Sequence, residues 1–583
     1  MLFKYLKPFW PGVIVIVALL LIQSLSELFL PTLMSVIVND GIIYGVQHGV
    51  YQTDFILRTG GTMLMVALFA GLASVTATYI SPKIAAGVAR NLRRDIFTKV
   101  ENFSQAEFDK FSSASLITRC TNDVSQIQVL ANIFARTFLY APIIAFGGIF
   151  MALRQSVSMG WIIALSVIVL FGLVAIVISI VMPRFKIIQE LTDKLNKVSR
   201  EILHGLMVIR SFGTQNYEKQ RFSNANKDLA DLGLFIGRVM AINGPAITFV
   251  MGGTQMLIIW VGASYVGDVN YDLSVGDMMA FFQYAMQVII SFMMISFVIV
   301  MVPRAQVSAT RIKEVLDTNF SINDPENPIN FNENSQPDIT FKNVSFNYPN
   351  SEANALENIS FTAHAGQTTA IIGSTGSGKS TIAQLILRFY DVSNGSVTIN
   401  NTDIRHVRQE ELRKKIGYVP QKGQLLSGTI ESNIRYGKPN ATVEEVELSA
   451  KIAQAYDFID EKEHKFESEI SQGGTNVSGG QRQRLSIARA LAKKPEIIVF
   501  DDSFSALDFQ TDLNLRKALH EHTADATVIV IAQRVGTIMN AEQIIVLDEG
   551  KIVGKGTHNQ LMNNCPAYQE IALSQDINMK GEI

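Results

Sequence analysis

Long apolar segments dominate the first half of the chain. Six of them lie at residues 13–38, 59–80, 138–153, 161–182, 240–266 and 279–302. Most approach or exceed the roughly 20 residues that a helix needs to cross a bilayer, whereas the third is short and contains glycine. The pattern predicts an all-α transmembrane domain of six helices over residues 1–318.

The first apolar segment begins close to the N-terminus, where a signal peptide would also lie. Its apolar run is longer than a signal peptide requires, and no small-residue cleavage site precedes the next apolar spans. We therefore interpret it as a retained first span.

Basic residues are unevenly distributed between the spans. The segments between spans two and three and between spans four and five are rich in Lys and Arg, whereas GDVNYDLSVGD, between spans five and six, has neither. Because basic loops remain in the cytoplasm, both termini are predicted to lie there. Apolar and charged residues recur at helical spacing in KIAAGVARNLRRDIFTKVENF. Spans two and four are therefore predicted to continue as long helical extensions on the cytoplasmic side.

The pattern changes after residue 318. Residues 319–337 are rich in Asn, Asp, Glu and Pro and have no apolar period, which predicts a linker. Over residues 338–583, strand-like and helix-like segments alternate as in a soluble α/β domain. The fold class is thus multidomain, with six-helix and α/β parts.

Composition agrees with this division. The 583 residues exceed one compact domain, and only 17% are charged. The mean hydropathy of +0.22 suits a membrane protein. A net charge of -2 gives no argument for a nucleic-acid partner, and the two distant cysteines, Cys120 and Cys565, indicate no disulfide framework.

The segment GSTGSGKST fits the pattern G-x-x-x-x-G-K-[ST] between a strand-like and a helix-like segment. Backbone N–H groups of such a loop surround phosphates, while the lysine neutralises the β- and γ-phosphates and the serine hydroxyl binds Mg²⁺. A glycine-rich turn without a ligand is the alternative. The predicted ATP-binding residues are Gly373, Ser374, Thr375, Gly376, Ser377, Gly378, Lys379, Ser380 and Thr381.

Two further segments extend this chemistry. The apolar run IIVF ends in Asp501, which suits a Mg²⁺-organising carboxylate, although a strand-end turn would also use aspartate. In VSGGQRQRLSIARALAKK, Ser478, Gly479 and Gly480 begin a predicted helix. Helix N-termini bind anions, so this second anion site is predicted to serve a nucleotide held by another domain.

Together these motifs resemble the ATP-binding cassette (ABC) family, and the six preceding spans resemble its exporter branch. The resemblance implies adenine stacking on Tyr348, Mg²⁺ ligation by Ser380, Gln421 and Asp501, and contact of Ser478, Gly479, Gly480 and Gln481 with ATP. It further implies that two half-transporters pair head to tail, and that coupling helices lie within residues 108–123 and 210–222.

Three positions depart from that family's pattern. Exporters usually have Glu after the Mg²⁺ acid, His on a later strand and often Glu before the signature, whereas this chain has Asp502, Gln533 and Gln472. Asp is one carbon shorter than Glu, and a misplacement of about 1 Å can cost on the order of 100-fold in rate. Gln cannot become cationic. The predicted catalytic residues are Gln421, Asp502 and Gln533. The site that contains them is predicted to bind ATP and hydrolyse it slowly. The alternative is that Asp502 and Gln533 arose by neutral drift in a site that still works.

The chain therefore resembles the degenerate-site subunit of bacterial heterodimeric multidrug exporters in the cell membrane. Its predicted partners are a second, non-identical half-transporter, the lipid bilayer and small amphipathic substrates, with ATP and Mg²⁺ as cofactors. Glu27 within the first span is a candidate for contact with cationic drugs or a residue near the interface. The alternatives are a lipid flippase and an ATP-gated channel or regulatory subunit.

Overall fold

The structure is a computed structural model that describes residues 2–50, 52–266, 273–331, 336–349, 351 and 353–575. It divides into two compact units. The first comprises Met1–Glu101 and Ser113–Thr318, and the second comprises Asn102–Ser112 and Asn319–Ile583. Residues 102–112 thus pack with the second unit although they precede the predicted boundary. Residues 267–272 of the loop without Lys or Arg, and residues 332–335 of the predicted linker, lie outside the described residues.

Helices account for nearly all of the first unit. In chain order the helices are α1 Leu2–Leu6, α2 Trp10–Val36, α3 Tyr44–His48, α4 Thr53–Glu101, α5 Gln105–Phe111, α6 Ser113–Thr118, α7 Val124–Ile133, α8 Leu139–Gln155, α9 Gly160–His204, α10 Leu206–Ser211, α11 Gln215–Tyr265 and α12 Val275–Asp317. Short π-helical turns at Ile37–Ile43, Arg119–Asp123 and Phe134–Phe138 join several of them. Of these helices, α5 belongs to the second unit.

Among the described residues, six helical stretches are long and apolar enough to cross a membrane. They are Lys4–His48, Thr53–Glu101, Ser113–Gln155, Gly160–His204, Gln215–Tyr265 and Val275–Val298. The prediction of six spans is confirmed, and the short third span is one end of a longer helical stretch. Large apolar side chains such as Phe146, Ile168 and Phe249 are exposed on this unit, as expected for a surface that faces lipid.

The core of the first unit forms where several of these helices meet. Buried side chains from α2, α8, α11 and α12 pack around Phe281 and Tyr284, neither of which is accessible to solvent. A second cluster around Ile16 and Leu20 joins α2 to α4. Proline occurs inside α2, α4, α8, α9 and α11. Each proline leaves a carbonyl one turn earlier without its helical donor, so other groups must satisfy that carbonyl.

The second unit is built on strands. They are β1 Ile339–Phe346, β2 Leu356–Ala363, β3 Thr368–Gly373, β4 Asn394–Ile399, β5 Thr402–Asp403, β6 Ile416–Val419, β7 Gly428–Thr429, β8 Glu469–Ile470, β9 Ile497–Asp501, β10 Thr527–Ile531, β11 Gln543–Asp548 and β12 Lys551–Gly556. Across the described part of the chain, the main sheet has the order β12-β11-β3-β10-β9-β6, and β2-β1-β4-β5 form a second, antiparallel sheet.

Five strands of the main sheet run parallel, and only β12 runs antiparallel to its neighbour. Continuous apolar runs such as TVIVI, buried at every position, form the central strands, as expected for a sheet covered on both faces. The helices around them are α13 Lys379–Ile386, α14 Gln409–Lys415, α15 Ile430–Arg435, α16 Val443–Ile452, α17 Tyr456–Asp460, α18 Gly479–Ala492, α19 Phe509–His522, α20 Val535–Ile538, α21 His558–Asn564 and α22 Pro566–Leu573. The predicted α/β fold is confirmed.

The sheet order determines where the chemistry lies. Strands β3 and β9 flank β10 and run parallel to it, so the carboxyl ends of all three meet at one edge. The phosphate loop follows β3, and the predicted magnesium acid ends β9. Ligands bind at such an edge in open α/β sheets.

Candidate nucleotide site

The phosphate loop connects β3 to α13. Its conformation requires glycine at several positions: Gly376 and Gly378 have φ angles of +87° and +94°, in the region that L-residues rarely adopt. At Gly373 a side chain would place its Cβ 2.0 Å from the backbone oxygen of Leu547. These glycines therefore allow the chain to turn tightly onto the N-terminus of α13, where helix N–H groups attract phosphate.

Lys379, the first residue of α13, points back into this loop. Only 9% of the residue is exposed, and its Nζ donates hydrogen bonds to the carbonyl oxygens of Gly373 and Ser374 at 2.9 and 2.6 Å. Burial lowers the pKa of Lys379, while the nearby carboxylates of Asp502 and Asp501 act in the opposite direction. A phosphate in the loop would give the ammonium a charged partner in place of two neutral carbonyls.

The buried hydroxyl of Ser377 has no hydrogen-bond partner among the described residues, and only 1% of the residue is exposed. Buried hydroxyls are normally paired, so an orphan in a phosphate loop indicates that a ligand supplies the missing partner. The loop residues therefore fit a nucleotide phosphate.

Two of the three predicted magnesium ligands are in direct contact. Ser380 Oγ donates to Asp501 Oδ1 at 2.9 Å, and Tyr418 donates to the other oxygen of Asp501 at 3.4 Å. Burial raises the pKa of Asp501, partly offset by these two hydrogen bonds. A hydroxyl beside a buried carboxylate fits Mg²⁺, which takes few protein oxygens and keeps waters and phosphate oxygens. No cluster of three or more His, Cys, Asp or Glu with metal-binding geometry occurs within the described residues.

Asp502 lies just beyond the end of β9 and adopts a left-handed backbone, with φ of +48°. Its N–H donates to the carbonyl of Ile531 at 2.8 Å, which fixes it against β10. One carboxylate oxygen, Oδ2, accepts hydrogen bonds from both Gln421 Nε2 at 2.9 Å and Gln533 Nε2 at 2.8 Å. Gln421 thus contacts Asp502, and no hydrogen bond joins it to the Ser380–Asp501 pair.

Tyr348, the predicted adenine-stacking residue, is half-buried beside α13. Its hydroxyl lies 2.9 Å from Thr381 Oγ1 and donates to Gln384 Oε1 at 2.9 Å. Its ring meets those of Phe346 and Tyr390 edge-on, with centroids 5.0 and 5.3 Å apart. The ring is therefore held rigidly next to the phosphate loop.

The signature segment begins α18. Ser478 caps the helix, accepting from Gln481 N–H at 3.2 Å, while the Gln481 side chain accepts from Ser478 N–H at 3.1 Å. This reciprocal capping uses the Gln481 side chain within the helix. Ser478 and Gly479 are exposed, and no atom lies within 4 Å of a Cβ built on Gly479. The positive end of α18 is therefore open to an anion.

The predicted set thus divides into two groups. Gly373 to Thr381, Asp501, Asp502, Gln421, Gln533 and Tyr348 meet around the phosphate loop through the contacts above. Ser478, Gly479, Gly480 and Gln481 form the start of α18. Gln472 lies exposed in a short 3₁₀ turn, Gln472–Gly474, ahead of that helix.

Known proteins share both halves of this architecture. A profile described as ABC transporter transmembrane region matches residues 13–292, and one described as ABC transporter matches residues 356–505. An uncharacterized ABC transporter ATP-binding protein of Mycobacterium tuberculosis (strain ATCC 25618 / H37Rv) is 38% identical over 577 residues, covering 98% of this chain and 97% of the relative. The chain belongs to the ABC transporter family.

This ABC transporter is a half-transporter, with one transmembrane domain fused to one domain that binds ATP and drives transport. An ATP-dependent lipid A-core flippase of Haemophilus ducreyi is 30% identical over 576 residues, covering 98% of this chain and 96% of the relative. The solved structure of a bacterial Atm1-family ABC exporter with ATP bound superposes with a TM-score of 0.80 at 24% identity. It covers 98% of this chain and 99% of that chain. The transporter therefore has the ABC exporter fold.

Gln483 is a functional candidate that sequence reasoning missed. Only 2% of this residue is exposed, and its carboxamide accepts from Gly423 N–H at 2.9 Å and donates to Pro420 O at 3.0 Å. It therefore attaches the loop that carries Gln421 to the signature helix α18. Two glutamines of GGQRQR lie near each other in sequence, and nothing in the pattern shows which one turns inward.

Replacing Gln483 by leucine should destabilise the ATP-binding unit. Two partly buried backbone groups would lose their partners, at a cost of up to about 1–3 kcal/mol each. We expect a lower thermal midpoint and a higher KM for ATP, measured on the full chain in detergent. Replacement of the nearby, partly exposed Gln481 by leucine is the control and should leave the thermal midpoint closer to wild type. An unchanged midpoint for Gln483→Leu would contradict the assigned role.

Helix α5 brings a membrane-domain loop into the second unit. Tyr390 donates to Asp109 Oδ2 at 3.1 Å, and Ser321 N–H donates to Glu107 Oε1 at 3.0 Å. Because Tyr390 also meets Tyr348 edge-on, α5 is two side chains away from the predicted adenine contact. The first predicted coupling segment, residues 108–123, therefore begins in the second unit, to which residues 108–112 belong. The second predicted coupling segment, residues 210–222, belongs to the first unit.

Proposed function

We propose that this half-transporter is the degenerate-site subunit of a heterodimeric exporter of small amphipathic compounds. Its own phosphate loop holds ATP with Mg²⁺ and hydrolyses it slowly. Its signature helix completes a working site on the phosphate loop of a non-identical partner. The ATP-binding domain and both termini are cytoplasmic, as the basic loops indicate.

The observation that carries this proposal is the pair of amides on Asp502. A general base must direct an oxygen at the attacking water, within hydrogen-bond distance. Here Gln421 and Gln533 both donate to the same carboxylate oxygen, at 2.9 and 2.8 Å. Two amide donors stabilise the carboxylate as a hydrogen-bond acceptor and hold it between them, and the short side chain cannot extend past them. The other oxygen, Oδ1, is not held by these amides but lies on a side chain one methylene shorter than glutamate, so we expect slow hydrolysis, while nucleotide binding keeps all its parts.

Magnesium would be held by Ser380 and Asp501, with Gln421 as the predicted third ligand. The ion supplies charge neutralisation for the β- and γ-phosphates when bound. Lys379 would turn from its two carbonyls to the phosphates, and the N–H groups of the loop and of α13 would orient them. None of these steps needs the carboxylate of Asp502.

The signature helix supports the second part of the proposal. The exposed start of α18, at Ser478 and Gly479, offers the positive end of a 14-residue helix, in which the N–H groups of Gly479 and Gly480 have no intrahelical acceptor. The phosphate loop of the same chain has its own helix, α13, for the same purpose. Since α13 already serves the nucleotide on this chain, we infer that the start of α18 binds a nucleotide held by another chain. This chain would then contribute to ATP hydrolysis at the partner's site even if its own site is slow.

A lipid flippase is the second candidate for the cargo. Two relatives with about the same length are named ATP-dependent lipid A-core flippase, from Haemophilus ducreyi and Aliivibrio fischeri, each 30% identical. Transport measured in proteoliposomes with an amphipathic dye and with a labelled phospholipid separates the two cargos. Uptake of the dye without lipid movement supports the multidrug form, and the reverse supports the flippase.

The purified full-length chain alone should bind ATP and turn it over slowly. We expect Mg²⁺-dependent binding of a fluorescent ATP analogue, with hydrolysis on the order of 100-fold below that of the same chain with its partner. Lys379→Ala is the control and should abolish the binding. Rapid hydrolysis by the chain alone would refute the degenerate site, whereas absent binding would refute the nucleotide-holding role.

A further inference from the structure

A polar cluster lies inside the apolar bundle of the first unit, around Glu27. Glu27 is in the middle of α2, and Pro31 follows it by four residues. Since proline has no N–H, the carbonyl of Glu27 lacks its helical donor. Gln287 of α12 donates to that carbonyl through Nε2 at 3.3 Å. The proline thus leaves a backbone acceptor, next to an acidic side chain, that takes its hydrogen bond from another helix.

The carboxylate of Glu27 receives only neutral donors from the described residues. Gln23 Nε2 donates to Oε1 at 2.9 Å, and the hydroxyl of Tyr140, on α8, donates to Oε2. Neither donor supplies a positive charge. An acid within a membrane span is costly, and such residues usually pair with a cation or mark the path of a substrate or ion. The Glu27 carboxyl group is hydrogen-bonded here and makes no salt bridge among the described residues, while Arg136 lies four residues before Tyr140.

Two further acceptors in this cluster have no partner. Ser24, fully buried, lies three residues before Glu27 and so on the same face of α2, and its Oγ makes no hydrogen bond. The Oε1 atom of Gln287 is also buried and unpaired. Both are among the described residues. Buried polar atoms are normally satisfied, so these two indicate a ligand that brings hydrogen-bond donors.

Other polar contacts between α2 and α12 do not share this property. Tyr284 donates to Leu28 O at 2.8 Å and lies 2.7 Å from Thr32 Oγ1, while Ser35 donates to Asp277 Oδ1 at 2.7 Å. These groups satisfy one another and join the two helices. Asp277 also accepts only from neutral groups, but among the described residues no buried polar atom of these contacts lacks a partner, so the unpaired acceptors distinguish the cluster at Glu27 from a helix-joining contact.

We propose that the Glu27 cluster binds the ammonium group of an amphipathic organic cation. Glu27 would neutralise the charge, and Ser24 and Gln287 would accept its N–H groups, while surrounding apolar side chains hold the hydrocarbon part. An anionic headgroup would bring acceptors against acceptors and meet charge repulsion. The inference rests on the proposed export of amphipathic compounds and names the class of cargo that one chain recognises.

The test uses two matched probes. One is a dansyl group linked through an octyl chain to a primary amine, and the other is the same molecule acetylated on that amine. Binding of each to the full-length chain in lipid nanodiscs is measured by dansyl fluorescence without ATP. We expect the wild type to bind the amine about tenfold more tightly than the amide, since only the amine is charged. Equal binding of the two probes by the wild type would overturn the proposal without any variant.

Three variants test whether the preference for the amine probe depends on Glu27. Glu27→Gln should abolish it, and Tyr140→Phe, which keeps the charge, should retain it. Asp40→Asn is the matched control, because Asp40 is an exposed acid of the same first span. Its preference should equal that of the wild type, and a similar loss in Asp40→Asn would refute the proposal by indicating a general surface effect. Because binding is measured without nucleotide, a fast or slow ATP site leaves the result unchanged.

Discussion

Replacing Gly479 by aspartate on this chain should reduce ATP hydrolysis by the assembled transporter by at least about 100-fold, because it places a negative charge where, in the proposed function, the γ-phosphate of the partner's ATP is held. Two like charges about 4 Å apart repel by about 4 kcal/mol at an effective dielectric constant of 20. The measurement is steady-state ATPase activity of the complex between this chain and its partner half-transporter.

The fold should tolerate this substitution. A Cβ on Gly479 meets no atom within 4 Å, and an acidic residue in the first turn of α18 stabilises the helix through its dipole. The matched control is Gly479→Asn, which has the same size and no charge and should retain markedly more activity. Lys379→Ala, which disables this chain's own phosphate loop, should cost less than Gly479→Asp. Equal losses from both would contradict the assignment of the working site to the partner.

The sequence was sufficient for the architecture because its signals are local. Six apolar runs predicted six spans, and the alternation after residue 338 predicted the α/β domain. The phosphate loop was also predictable, since Gly376, Gly378 and Lys379 act through the conformation of their own segment. Such features need no knowledge of which distant residues meet.

The arrangement of side chains around Asp502 could not be predicted from the sequence. Asp502 and Gln533 were predicted to matter, but the shared oxygen between Gln421 and Gln533 joins residues 81 and 31 positions away from it. Glutamine amides have several possible partners, and the sheet order chooses among them. The same holds for Gln483, whose neighbours at residues 420 and 423 are separated from it by about 60 positions.

The position of α5 shows a second limit. A coupling helix was expected within residues 108–123, but the sequence does not show that residues 102–112 pack with the second unit. Their contacts with Tyr390 and Ser321 decide the question in favour of the second unit. The segment inferred to be a linker likewise buries Phe331 in the core of that unit, although its described residues form no helix or strand.

In the proposed function, these two sites make the chain asymmetric. The start of α18 is complete and exposed, while the carboxylate after the magnesium acid is held by neutral amides. If geometry alone causes slow hydrolysis, then restoring the side-chain length and a cationic partner should restore the rate. The double substitution Asp502→Glu with Gln533→His tests this directly.

This double variant, purified as the full-length chain without its partner, should hydrolyse ATP on the order of 100-fold faster than the wild-type chain. Glutamate extends the carboxylate by one methylene, beyond the position at which Gln421 now holds it. Histidine at residue 533 can carry a positive charge towards the γ-phosphate, which glutamine cannot. Because residue 502 has a left-handed backbone, in which Asp is better tolerated than Glu, we also expect a stability loss of about 1 kcal/mol.

Two comparisons separate base chemistry from other causes of a higher rate. Asp502→Asn with Gln533→His has the new imidazole but no base, and asparagine tolerates the left-handed backbone, so this variant should stay folded and slow. Binding of a fluorescent ATP analogue, measured on each variant, should be unchanged within a few fold. If the Glu–His variant binds ATP, remains folded and still hydrolyses at the wild-type rate, the defect lies outside Asp502 and Gln533. The separation of roles between this chain and its partner would then need a different physical cause.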